Sequence, residues 1–372
     1  MKRIITELRQ IKFTNPAVLL HLFFWIALRS QQLNNNITRT IYIDLPENEF
    51  KKKIQELSSH IPKGLFVTNE KSKEDRTEIV FEFKFFYVLL KLLRRKSIRV
   101  LDPNFFYTAE ASTRFRLFYY DGLTEKERDN YIQQAKKNLI SYKKNYNEDP
   151  CWVVGTGPSF DDAEKLIPDG GQVITCNSAI YSDYLWENKD VAIAFGDPVY
   201  HFGLSKEALR FKESIQNRFS KKPFYIICPI EAMPLINSNW GVPIDYIIGL
   251  PMRKDSLPSL LSENNFVASR TSNVLTEFML PVATFLSKTI YLGGFDGRNI
   301  GEKLFWQYSS TTVQDVKAHQ EVHTTFFEQR NIDEYYKTHL QTLDKHLIYY
   351  EKNKIKFINK TPSLIPSLKN RT

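Results

Sequence analysis

Apolar residues in this chain come in short, nearly unbroken runs, separated by stretches in which they recur every third or fourth position. In the second half the runs are CWVVG (151–155), GQVITCN (171–177), DVAIAFGD (190–197), PFYIIC (223–228), IDYIIGL (244–250), KTIYLGGFD (288–296) and KIKFIN (354–359). Unbroken runs suit strands covered on both faces, and helix-like segments between them suit crossover connections. The pattern therefore predicts an α/β fold with a doubly wound, mostly parallel sheet, a Rossmann-like architecture. A closing helix over 332–353 places Ile332, Tyr336, Leu340, Leu343 and Leu347 on one stripe.

The first half reads as a smaller α/β unit: TIYIDL (40–45), the helical ENEFKKKIQELSSH, GLFVTN, an apolar helix at 83–96 and SIRVLD (97–102). A long polar helix over 123–145 reads as a connector. The expected organisation is a basic N-terminal α/β domain over 1–122, a connecting helix over 123–147 and a larger α/β domain over 148–372, the last boundary lying near Glu148.

At 372 residues the chain is long enough for two such domains, and 42% hydrophobic with 25% charged residues is a globular composition. The formal net charge of +9 favours an anionic partner, although a basic solvated surface accounts for it equally. Nucleic acid has nothing beyond that charge to recommend it. Cys151, Cys176 and Cys228 sit in or beside apolar runs with no metal spacing, as free cysteines of a reducing compartment do, so a cytoplasmic location is expected. Residues 17–28 are strongly apolar but short of the ~20 a spanning helix needs, and no small-residue cleavage site follows. That stretch and 83–96, both flanked by or mixed with lysine and arginine, read as core helices or as amphipathic helices on the inner face of the cell membrane.

In an open α/β sheet ligands bind beyond the carboxyl ends of the strands. Those positions hold Gly155-Thr156-Gly157-Pro158-Ser159, Asn177-Ser178, Gly196-Asp197 and Gly293-Gly294-Phe295-Asp296-Gly297-Arg298. Glycines let a backbone turn approach a ligand, and a helix starting near Phe160 turns such a corner into an anion site, with Thr156 and Ser159 adding hydroxyls. The stretch is neither a Walker loop nor GxGxxG, and a plain strand–turn–helix corner would carry similar residues. Arg270-Thr271-Ser272-Asn273 reads two ways as well: a helix cap, or an anion clamp built on Arg270 and Ser272.

In order, VVGTGPSF, TCNSAIYSDYLW, AFGDP, RTSNVLTEFMLPVATFLSKTIYLGGFD and KIKFINKTPSLI resemble the landmarks of the bacterial lipooligosaccharide sialyltransferases. The broader domain family, with a similar Gly-x-Gly-Pro-Ser start, includes flagellin-modifying proteins and an archaeal pterin pyrophosphokinase. The resemblance spans about 151–365 and implies that 148–372 is a nucleotide-sugar-binding catalytic domain. It implies transfer of a CMP-activated acidic sugar, sialic acid or a related ulosonic acid, to a surface glycan such as lipooligosaccharide or capsule, with inversion and without a metal. It further implies that Gly155, Thr156, Gly157, Ser159 and Asn177 hold CMP, with Ser178, Asp197, Arg270, Thr271, Ser272, Gly294 and Asp296 lining the site. Thr156 and Asp197 stand where several of these enzymes have asparagine.

The family's base is a histidine near the start of the last helix, and tyrosines bind the departing phosphate. This chain offers His339 or His323 as base and Tyr308, Tyr335 or Tyr336 for the phosphate, though counting back from KIKF lands on Lys337. No Asp-x-Asp follows any predicted strand, so neither metal nor cofactor is expected beyond the donor nucleotide sugar. The partners would be that donor, a glycan acceptor and the inner membrane in peripheral contact. Two other functions share the pattern: a pterin-type diphosphokinase using Asp197 and Asp296, and a nucleotide-sugar-binding module without catalysis.

Overall fold

The apolar runs of the second half line up side by side. The computed structural model describes residues 40–43, 45–57, 66–69, 77–80, 98–100, 117–146, 150–203, 205–299, 301–302, 308–312, 322 and 331–371. The apolar segments at 17–28 and 83–96, and His323, lie outside the described residues.

In the first half, β1 (Thr40–Ile43), α1 (Glu47–Leu57), β2 (Phe66–Thr68), β3 (Thr77–Val80) and β4 (Ile98–Val100) give a four-stranded parallel sheet in the order β2-β1-β3-β4. The short α2 (Phe118–Asp121) precedes α3 (Glu125–Asn145). Thr124 starts α3 with a capping box: its hydroxyl accepts the Glu127 N–H, and its own N–H donates to the Glu127 carboxylate at 2.8 Å. This helix is more than a connector. Its buried face carries Ala135, Leu139 and Tyr142, and the Asn138 amide donates to the carbonyls of Ile244 and Ile247 at 2.7 and 2.8 Å.

The second half continues with β5 (Cys151–Val154), α4 (Phe160–Leu166), β6 (Gln172–Cys176), α5 (Asp183–Asn188), β7 (Asp190–Ala194), α6 (Lys206–Lys221), β8 (Ile226–Pro229), α7 (Met233–Trp240) and β9 (Ile247–Leu250). A two-residue pair, β10 (Met252–Arg253) with β11 (Ala268–Ser269), follows. A π-helical turn at Leu275–Met279 then runs into α8 (Leu280–Leu286). The chain ends on β12 (Thr289–Gly293), α9 (Ile332–Lys352), β13 (Lys356–Asn359) and α10 (Pro366–Lys369).

Seven of these strands form one all-parallel sheet, in the order β13-β12-β5-β6-β7-β8-β9. The chain steps outward from β5 to β9, then returns to the other side of β5 for β12 and β13. The order therefore reverses between β5 and β12, where an α/β sheet opens a crevice at its carboxyl edge.

Burial explains the unbroken apolar runs. Cys151 and Val153 belong to one buried cluster with Leu139, Leu280, Leu343 and Leu347, from α3, α8 and α9. Their neighbours Trp152 and Val154 belong to another, with Phe160, Ala163 and Leu185 from α4 and α5. Ile193 and Ile226 join Phe211, Ile215 and Met233 from α6 and α7. Each such side chain contributes ~1.5–3 kcal/mol when fully buried, so no position along β5 is left for a polar residue. All three cysteines are buried, and none forms a disulfide.

Candidate functional site at the carboxyl edge of the sheet

Because the seven strands are parallel, the four small-residue loops singled out in the sequence share one edge. The loops after β5 and β12 are laced to each other. Gly155 N–H donates to the Gly293 carbonyl and Gly157 N–H to the Gly294 carbonyl, both at 2.9 Å. The glycines are demanded by this contact. A Cβ on Gly155 would lie 2.5 Å from the Phe295 ring, one on Gly157 would strike the Asp296 carboxylate, and one on Gly294, at φ +70°, would strike the Gly155 carbonyl. These two N–H groups, expected to face a phosphate, are thus bonded within the protein.

The start of α4 is occupied in the same way. The Ser159 N–H lies 3.1 Å from each oxygen of the Asp296 carboxylate, and the Ser159 hydroxyl donates to it at 3.0 Å. Burial holds the Asp296 carboxyl above its usual range; the Ser159 hydrogen bonds oppose this and nearby Asp162 adds to it. The chain's own carboxylate takes the position at which the sequence pattern placed a ligand anion.

The Arg270–Asn273 loop repeats the arrangement. One oxygen of Glu277 accepts the N–H groups of Thr271 and Ser272, each at 2.6 Å. Ser272 has φ +60°, a conformation that turns successive N–H groups toward one point. The Tyr335 hydroxyl donates to the Ser272 carbonyl at 2.9 Å. Thr271 and Thr276 share a hydrogen bond between their hydroxyls at 2.6 Å, and Asn273 caps the Leu275 N–H. Arg270 lies 3.5 Å from Glu231, which sits just beyond β8.

Asp197 closes its own turn: one carboxylate oxygen accepts the N–H groups of Val199 and Tyr200 at 2.7 and 2.9 Å. Burial, with Asp197 and Tyr308 nearby, pushes the Tyr200 hydroxyl well above its usual pKa. Tyr308 therefore stands with this group, and its segment lies on the first loop: Thr312 donates to the Thr156 carbonyl at 3.1 Å and Ser310 to Asp161 at 2.7 Å.

The loop after β6 differs. Asn177 is held at φ +47°, and its Oδ1 is buried with no hydrogen-bond partner among the described residues. The Ser178 hydroxyl, 0% exposed, is equally unpartnered. Glu231 Oε2 and Arg298 Nη1, at two further strand ends, and Asp161 Oδ1, at the start of α4, are further unmet polar atoms along this edge. A buried polar atom without a partner costs ~1–3 kcal/mol, and strained backbone clusters where a ligand is held.

Arg298, the last residue of the glycine-rich stretch after β12, carries no assigned role in the sequence pattern. Its side chain is fully buried, donating to Asp333 at 2.6 Å and to the Glu302 carbonyl at 2.7 Å, with its guanidinium 5.4 Å from the Tyr336 ring centre. Tyr336 Oη accepts the Arg298 N–H at 3.1 Å, and burial raises the Tyr336 pKa against the pull of Arg298. Glu231, two residues past Pro229, satisfied the same strand-end rule as the residues selected, and so was findable.

His339 lies on α9, half-buried, with its ring 6.4 Å from that of Tyr336. Burial pushes its pKa down to about 4, so it is neutral at physiological pH and a weak base. Among the described residues no group of histidine, cysteine and carboxylate side chains converges as a metal site, and no helix is long and apolar enough to cross a membrane. Comparison with protein-family models, curated proteins and solved structures finds no match to this chain.

Proposed function

We propose that this protein is a glycosyltransferase of the lipooligosaccharide sialyltransferase type, transferring a CMP-activated acidic sugar to a surface glycan. The fold that accompanies this reading is a doubly wound nucleotide-sugar-binding domain preceded by a smaller α/β domain, in a cytoplasmic protein held peripherally at the inner membrane. One observation carries the proposal: Asn177 Oδ1 and Ser178 Oγ, beyond β6, are buried and unpartnered among the described residues, one strand from the reversal of strand order. An amide and a hydroxyl so placed suit the hydrogen-bonding edge of a nucleotide.

Transfer from such a donor needs a base at the acceptor hydroxyl and donors for the leaving phosphate. Tyr308 and Tyr336 are the hydroxyls that the reading assigns to the phosphate, and His339 or His323 the base. The diphosphokinase alternative is the weaker one, because Asp197 and Asp296, its candidate magnesium ligands, are engaged by backbone N–H groups. The half-buried His339, with its low pKa, favours a second reading in which the domain binds the nucleotide sugar without turnover.

The test is thermal stabilisation by CMP, UDP, GDP and ATP, each with EDTA and with magnesium. A ligand at a hundredfold excess over its Kd raises stability by ~2.7 kcal/mol. Stabilisation by CMP in EDTA is the expected result. A shift only with ATP or UDP plus magnesium overturns the reading. CMP binding without turnover of a CMP-sugar on any acceptor selects the module.

A further inference from the structure

The amino ends of the seven strands form the edge opposite the candidate site, and their charge is unevenly arranged. Around β7 the cations are paired: Lys189, itself buried, lies 2.7 Å from Asp169, and Lys222 pairs with Asp190. Around β12 and β13 the pattern changes. α3 ends on Lys143 and Lys144, α8 leads through Lys288 into β12, and α9 ends on Lys352 and leads through Lys354 to Lys356, the first residue of β13. All six are exposed.

The fold brings them together. The Lys143 ammonium lies 4.6 Å over the Phe285 ring, three residues before Lys288, and the Lys288 carbonyl accepts the Lys356 N–H at 2.8 Å. Among the described residues none of the six has an ion-pair partner, and the neighbouring Glu351 is taken by Arg371 through two hydrogen bonds of 2.6 and 2.8 Å. Helix C-termini attract cations, which accounts for Lys143, Lys144 and Lys352 but leaves Lys288, Lys354 and Lys356. Lys354 holds φ +65°, a conformation that disfavours any residue with a side chain. Ile348, one turn before Lys352 on α9, is 41% exposed.

We propose that this edge is a docking surface for the anionic headgroups of a lipid bilayer. Compact ammonium groups on flexible stems suit a diffuse field of headgroup charge, and Ile348 supplies an apolar contact at the interface. Base reading would call for unpaired arginine forks, and the nearby Arg371 is committed to Glu351. The inference rests on charge and topology and is independent of the transferase reading. Docking here turns the carboxyl-edge site away from the membrane.

The test is co-sedimentation of the full chain with vesicles of mixed phosphatidylglycerol and phosphatidylcholine, or of phosphatidylcholine alone, with binding to a DNA oligonucleotide measured alongside. The triple variant Lys288→Glu/Lys354→Glu/Lys356→Glu is compared with Lys126→Glu/Lys165→Glu/Lys206→Glu, which changes net charge equally elsewhere; unchanged thermal melting controls for folding. We expect anionic-vesicle binding to fall about tenfold or more in the first triple and to change little in the second. Equal effects of the two triples, retention by the first, equal binding to neutral vesicles, or a wild type that binds only the oligonucleotide would each overturn the proposal.

Discussion

Ser159 and Asp296 lie 137 residues apart, yet the Ser159 N–H and hydroxyl both donate to the Asp296 carboxylate. The start of α4 thereby meets an anion that belongs to the protein. Replacing Asp296 by alanine leaves both donors unmet, at an expected loss of ~1–3 kcal/mol in chemical denaturation. Formate or phosphate should then stabilise the variant while leaving the wild type unchanged. If neither anion discriminates between the two proteins, Asp296 is not acting as an internal stand-in.

The lacing of the two glycine loops sets a second expectation. Gly294→Ala places a Cβ against the Gly155 carbonyl at φ +70°, so a loss of ~3–5 kcal/mol or failure to fold is expected. Gly241 has the same φ but open space around it, and Gly241→Ala should cost only ~1–2 kcal/mol. Urea midpoints of the two variants give the comparison; similar values would mean that backbone conformation, not the loop contact, dominates.

Asn177 and Ser178 should show stability and binding moving apart. Ser178→Ala removes an unpartnered buried hydroxyl and should leave stability unchanged or raise it by up to ~1 kcal/mol. Asn177→Gly relieves a left-handed residue and should behave similarly. Both are expected to lose the stabilisation that CMP gives the wild type. A variant that melts earlier and still responds fully to CMP would show these residues to be structural.

His339 gives a pH dependence. Its folded pKa, pushed from 6.5 to about 4 by burial, means that the unfolded chain binds the proton more readily between those values. Stability should therefore be full above pH 6.5 and fall as the pH drops toward 4, by at most ~3 kcal/mol from this residue. His346, also lowered by burial, works in the same direction. Denaturation of His339→Gln across pH 4–7 should show a shallower decline than the wild type.

Much of this architecture was legible in the sequence. Strands buried on both faces have no polar alternation, so β5 to β9 stood out as apolar runs, while β12 and β13, with alternating burial, were marked by Ile290, Leu292 and Phe357. Strand β3 did not, because Thr77 and Glu78 make up half of its four residues, and β10 and β11 are too short to carry any pattern. The strand-end rule put the selected loops on one edge of the sheet, as the parallel strand order requires. It could not reveal that the loops after β5 and β12 grip one another, since that follows from the return of β12 to the far side of β5. For the same reason Asp296 looked like a ligand contact rather than an internal anion. Arg298 was hidden differently: an arginine in a loop after a strand carries no sign that its partner, Asp333, will bury it.

The rim of the site depends on the end of the last strand. Gly294 N–H donates to the Thr361 hydroxyl at 3.0 Å, and the Ser363 hydroxyl donates to the Phe295 carbonyl at 2.6 Å. During synthesis, β5 to β9 can emerge from the ribosome and collapse together while the crevice beside them is still unfinished. Only when residues 356–364 are free does β13 settle beside β12 and the glycine loop become fixed. A chain cut short before that point would keep most of its core and lack the laced loops at the carboxyl edge of the sheet.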